Sequence, residues 1–187
     1  MKEIFISIAV LFAIIGNVPY LRDVISKRVQ PHPYTWFLWS IVSLVIFFGQ
    51  LVKGAGLAVL ATGASEIFTI IIFILSLRYG FKNIVRKDTY FLIIALLGLI
   101  PWYLTKDPTI SVIIVVAIDL TAFIPTLRKT WSFPKTETPM LYRMNVLRHV
   151  LILLTLDTYN IATTIHSISM ICTNSLMTFF IERKKAT

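Results

Sequence analysis

Seven apolar stretches constrain this chain more than any other feature: Ile4–Leu21, Tyr34–Val52, Leu57–Leu77, Thr89–Leu104, Thr109–Leu127, Met140–Leu156 and Thr158–Ile181. A helix needs about 17–25 apolar residues to cross the hydrocarbon core of a bilayer. All but the fourth reach that length, and the fourth carries Pro101 near its end. The apolar runs are continuous rather than alternating, which argues against a membrane β-barrel. Lipid offers the backbone no outside hydrogen-bond partner, so spanning segments of this kind must be helices. Composition agrees, with 57% hydrophobic and only 14% charged residues, against about 45–50% and 25% in soluble domains. The expected fold is all-α and integral to the membrane, a single membrane domain over 1–187 with seven transmembrane helices. The first stretch reads as a retained helix. Glu3 directly follows Lys2, and the run ends in Asn17-Val18-Pro19 rather than a small-residue cleavage site.

A net charge of +9 raises the question of a nucleic-acid partner, and the positions of the basic residues answer it. Arg22, Lys27 and Arg28 lie between stretches one and two. Arg78, Lys82, Arg86 and Lys87 lie between three and four. Arg128, Lys129, Lys135 and Arg143 fall around the junction of five and six, and Arg183, Lys184 and Lys185 follow seven. Only Lys2, Lys53 and Lys106 fall on the opposite side, and Arg148 sits within a stretch. The positive-inside rule then places the N-terminus outside and the C-terminus in the cytoplasm. Most of the charge is topology, and no nucleic-acid partner is expected. The partners expected are the lipid bilayer of the cell (inner) membrane, crossed in multiple passes, and a small-molecule solute, with a homo-oligomer left open. Cys172 is the lone cysteine, the three histidines are scattered, and no CxxC or HExxH motif is present. Neither metal nor cofactor is expected.

The chain also matches itself at a shift of 106 residues. Pro19, Leu21, Arg22, Ser26 and Pro33 fall on Pro125, Leu127, Arg128, Ser132 and Pro139, without gaps, and Trp36 falls on Tyr142. The shift covers four helices, so the two copies share one orientation. The expected architecture is 3+1+3: a first three-helix repeat over 1–80, a linker helix at 89–104, and a second repeat over 109–187. Each motif proline is expected to end its span or kink it. Parallel repeats about an axis along the membrane normal are a known transporter design.

This layout, with a proline-centred motif ending spans one and five, resembles the PQ-loop or SWEET-type transporter superfamily. By topology the resemblance covers nearly the whole chain; by motif it covers 16–36 and 122–142. The glutamine after the motif proline is replaced by Tyr20 and Thr126, and Trp39 and Asn145 stand where sugar-transporting members carry a further proline. The resemblance implies transport of a small solute such as a sugar or amino acid, with proton coupling in some relatives, and receptors or scaffolds in others.

Ionisable residues within the stretches are costly, about 2.5–3.5 kcal/mol each on insertion scales, so they are expected to face the bundle or a cavity. Glu66, Asp119, Arg148 and His166 lie near mid-depth on four different helices. Asn145, Arg148 and His149 share one helix face at spacings of three and four. Thr62, Ser65, Glu66 and Thr69 make a polar stripe on span three. Span seven carries Asn160, Thr163, Thr164, Ser167, Thr173 and Asn174. Two assignments stand open for Arg148: a clamp on Asp119, or a binding group for a substrate carboxylate. Asn17 either caps a helix broken at Pro19 or lines the path. His166 is either a satisfied core histidine or a site residue, and the Ser and Thr residues serve mainly as packing glue. If Arg148 holds Asp119, Glu66 lacks a cation, and an unpaired buried carboxyl favours its neutral form. Glu66 and Asp119 are therefore the candidate proton or cation sites. Arg148, Asn145, His149, His166 and Asn174 are candidate substrate-binding groups, and Asn17, Pro19 and Pro125 candidate gate or hinge residues. Under the shift of 106, Asp119, Glu66 and Arg148 match Ala13, Cys172 and Val42, so the site is expected to be asymmetric. A carrier of a small polar solute is the leading expectation, a non-transporting receptor or scaffold the alternative. An enzyme is not expected, because no nucleophile–base pair stands out.

Overall fold

A computed structural model describes residues 2–52, 58–156 and 159–183. Lys53, Leu57, Thr158, Lys184 and Lys185 of the expectations above lie outside them, as does the side chain of Thr62. Among the described residues there are seven α-helices and no strand: α1 (Lys2–Ile25), α2 (Pro33–Val52), α3 (Ala58–Tyr79), α4 (Arg86–Leu104), α5 (Pro108–Ser132), α6 (Pro139–Thr155) and α7 (Ile161–Arg183). One turn of 3-10 helix, Pro134–Thr136, joins α5 to α6.

The helix starts follow local chemistry. Proline opens α2, α5 and α6, where its missing N–H is no loss and its fixed φ suits the first turn. Asp107 caps α5 by accepting from Ile110 N at 2.9 Å. At the head of α7, Asn160 and Thr163 bond reciprocally, each backbone N–H donating to the other's side chain at 3.0–3.1 Å, a capping box. After α1, Lys27 takes the left-handed conformation, φ 59°, while the amides of Lys27 and Arg28 return to carbonyls of the last turn.

Both motif prolines lie inside their helices rather than at their ends. α1 continues to Ile25 past Pro19, and α5 to Ser132 past Pro125. A proline forfeits one helical hydrogen bond and crowds one carbonyl, a local cost that tertiary packing can offset. Here the turns beyond it carry buried residues: Tyr20 and Val24 in α1, Thr126, Lys129 and Thr130 in α5.

Among the described residues, four helices are long and apolar enough to cross a membrane: Glu3–Ile25, Arg86–Leu104, Thr109–Ser132 and Thr163–Arg183. Large apolar side chains face outward along them, among them Leu11, Val18, Ile94, Leu97, Ile113 and Ile168. An outside this apolar is the build of an α-helical membrane protein.

The helices pack as two sets. In one, α3 contacts both α1 and α2; in the other, α7 contacts both α5 and α6. Between the sets α1 lies on α6 and α2 on α5, while α4 rests against α5 and α2. The α1–α6 contact is close because residue 16 is glycine: a Cβ there would stand 3.0 Å from Met144 Cβ. An apolar core cluster sits toward the end carrying the 26–32, 80–85 and 133–138 connections. It gathers Tyr20, Val24, Trp36, Ile72, Phe123, Leu141, Tyr142 and Met177.

Candidate functional site

A cavity of about 320 Å³ lies above that core, between the two helix sets. Its walls take in Ala9 and Asn17 of α1, Trp36, Trp39 and Ser43 of α2, Ser65 and Thr69 of α3, Asp119 of α5, Tyr142, Asn145, Arg148 and His149 of α6, and His166, Ser167, Met170 and Asn174 of α7. Six of the seven substrate or ion candidates thus line one space: Asp119, Arg148, Asn145, His149, His166 and Asn174. Asn17 joins them from the gate group; Pro19 and Pro125 are not among the lining residues.

The charged pairing differs from a clamp between Asp119 and Arg148. Asp119 Oδ2 lies 3.8 Å from His166 Nε2, and Trp39 stands beside the same carboxylate. Arg148 reaches across to the other set, donating through Nη1 to Ser65 Oγ at 2.8 Å. Its Nη2 lies 3.3 Å from His149 Nε2. A guanidinium has no acceptor, so His149 Nε2 must accept and its proton sits on Nδ1. That nitrogen lies 3.3 Å from Ser167 Oγ, which is left to accept. The His149 and His166 rings meet edge to face, 5.5 Å between centroids. The physical reason for the rearrangement is azimuth: Arg148 and Asp119 share depth, but α7 packs on both α5 and α6 and brings His166 to Asp119.

Glu66 lies off the cavity. It is buried, at 4% exposure, and neither carboxyl oxygen makes a hydrogen bond; Ser43 is its polar neighbour. Asn17 does not cap a broken end, because α1 is unbroken there. Its amide donates to Ala13 O at 2.8 Å. The amides of Asn145 and Asn174 meet at 3.3 Å. Two hydroxyls expected as interhelical glue also bond within their own helix: Thr164 to Asn160 O and Thr173 to Ser169 O. A hydroxyl satisfied by the carbonyl four residues back needs no neighbouring helix.

A second polar cluster closes the end with the basic connections, and charge counting missed it. Arg128 grips Asp88 at two points, Nε to Oδ1 at 2.8 Å and Nη2 to Oδ2 at 2.5 Å. Asp88 also accepts from Val85 N at 3.0 Å and lies 3.4 Å from His32 Nε2. Burial lowers the His32 pKa to about 4, over the opposing pull of Asp88, so His32 is neutral near pH 7. The carboxylate can only accept, so His32 Nε2 carries the proton. Lys129 donates to Gln30 O at 2.6 Å and to Glu137, which accepts at its other oxygen from Tyr142 OH at 3.0 Å. Lys129 and Asp88 are fully buried, and Glu137 nearly so. Gly80 lets the 80–85 connection press on the 26–32 connection, since a Cβ there would stand 2.6 Å from Pro31 O. The sequence signal was available: Asp88 and Glu137 are acidic residues in otherwise basic connections.

Comparison with protein-family models, curated proteins and solved structures gives no match.

Proposed function

We propose that this chain is a carrier of a small polar solute that works by alternating access, with seven spans, the N-terminus outside and the C-terminus in the cytoplasm. The observation that carries the proposal is the cavity of about 320 Å³ between two three-helix sets, lined by Asp119, Arg148, His149, His166, Asn145 and Asn174. Small-molecule sites are usually about 300–1,000 Å³, apolar in the main with a few convergent polar groups, and carriers built from repeats hold solute near mid-membrane at the repeat interface. Soluble or lipid-facing packing has no need of an arginine and an aspartate at that depth.

The helix contacts support the 3+1+3 reading. Renaming α1, α2 and α3 as α5, α6 and α7 turns the α1–α6 contact into α5–α2, which is also present, and carries the central position of α3 onto α7. A PQ-loop-like carrier has this exchange of sets around a linker helix. Pro19 and Pro125 would give α1 and α5 a bend without a break. Tyr20, Trp36, Trp39 and Phe123, in successive ring contacts at 5.1–5.5 Å, would form a floor closed toward the cytoplasm. Glu66 takes no part in solute contact and is proposed as a protonated carboxyl that could couple transport to a proton.

The test is counterflow of a panel of sugars, amino acids and organic acids in proteoliposomes. Counterflow of one solute that Asp119→Asn and Arg148→Ala each abolish is the expected result. Full activity in both variants would remove their roles. Absence of counterflow for every solute, together with a co-purifying protein, would favour a receptor or scaffold. Labelling of Lys27→Cys from inside only, and of Lys106→Cys from outside only, is expected in a cysteine-free background.

A further inference from the structure

Among the described residues, Arg148 has no counter-ion in contact with its guanidinium. None of the ion pairs among the described residues includes it. Its two hydrogen-bonding partners, Ser65 and the acceptor nitrogen of His149, are neutral. A guanidinium has five N–H donors; here two contacts are made and Nε is buried with no bond at all. Asp119 makes neither an ion pair nor a hydrogen bond with Arg148 and instead lies 3.8 Å from the His166 ring, and Glu66 lies outside the cavity wall. A buried cation without a counter-ion is strongly disfavoured, all the more so at bilayer depth. It persists where a ligand supplies the missing charge.

We propose that the solute of this cavity is a small monocarboxylate, bound with its carboxylate on Arg148. This rests on the carrier reading above and names its substrate class. One unpaired cation calls for one negative charge. A second carboxylate on the same molecule would meet Asp119 in the cavity wall, where like charges repel, so dicarboxylates are disfavoured. The remainder of the solute faces the indoles of Trp36 and Trp39, the Tyr142 ring, and the amides of Asn145 and Asn174. That lining suits a short apolar or aromatic body bearing at most a hydroxyl or carbonyl group. Neutral His149 holds the guanidinium from one side and Ser65, on the opposite helix set, from the other. Bound anion would thus sit where the two sets meet.

The test separates binding from transport. The full chain, purified in detergent, is titrated with lactate, hexanoate and benzoate, their neutral amides, and succinate, and read by thermal stability and indole fluorescence. At least one monocarboxylate is expected to bind, with its amide and succinate about 30-fold weaker or more, the scale of a lost buried charge pair. Arg148→Gln is expected to erase that preference and Arg148→Lys to retain part of it. Arg143→Gln, on the exposed ion pair with Glu182, serves as the folded control with unchanged binding. If no monocarboxylate binds, or acid and amide bind alike, the proposal is overturned, and counterflow of a neutral solute would then leave the carrier reading intact. If a monocarboxylate binds through Arg148 but shows no counterflow, the anion site stands and the carrier reading fails.

Discussion

Asp119 on α5 and His166 on α7 lie 3.8 Å apart, carboxylate oxygen to ring nitrogen. They face each other from two helices of one set at the cavity wall, while Arg148 contacts Ser65 and His149 instead. The two residues should therefore act as a unit. In a double-mutant cycle of Asp119→Asn and His166→Gln, the coupling energy is expected to be about 0.5–3 kcal/mol. The cycle is read on the thermal midpoint in detergent and on solute affinity. Effects that simply add would show that the two groups act independently.

Asp88→Asn should loosen the closed end of the bundle. Asp88 is fully buried, while the Arg128 side chain is 29% exposed. Breaking a fully buried pair costs about 3–5 kcal/mol, and partial solvation of Arg128 brings the expectation to about 2–3. A lower unfolding midpoint with the cavity-lining residues untouched is the expected outcome. An unchanged midpoint would mean the ion pair carries no stability.

Lys129 and Glu137 are a sharper case, since both side chains are fully buried. Lys129→Met alone strands a carboxylate and should cost about 3–5 kcal/mol. Adding Glu137→Gln should restore most of that loss, because the amide is neutral and its carbonyl oxygen can still accept from Tyr142 OH. A double variant as unstable as the single would indicate that lost packing, not unpaired charge, is responsible.

His32 gives the closed end a pH dependence of defined sign. Its folded pKa is lowered from 6.5 to about 4. Between those values the unfolded chain binds the proton and the folded chain does not, so stability rises with pH through that window. The contribution is fully present above pH 6.5 and is lost as pH falls toward 4. Unfolding midpoints measured across pH 4–7 should therefore slope less in His32→Gln than in the parent chain. Parallel slopes would mean that His32 does not titrate in this window.

Seven helices could be read along the chain because the bilayer tolerates few alternatives: an apolar run of spanning length has only one way to satisfy its backbone. Asn145, Arg148 and His149 could be placed on one face for a similar reason, since helical spacing is a local property. Helical spacing does not say which neighbour a face meets. Depth alone admits an Arg148–Asp119 clamp as one of two assignments, and α7 brings His166 beside Asp119 instead. Glu66 shares depth and stripe with Ser65 and Thr69, yet only those two reach the cavity wall.

The sequence by itself determined the helical class and picked out the polar residues, Asp119, Arg148 and His149 among them, that are gathered between the helices. Only the tertiary structure decided their partners. Arg128 and Lys129 looked like topogenic charge until Asp88, forty residues earlier, and Glu137, across the 3-10 turn, were brought against them. Topology depends on the number of Lys and Arg residues in a connection, which a sequence displays directly. An ion pair depends on distances of a few ångströms between segments remote in the chain, and those exist only once helices α1 to α7 have packed.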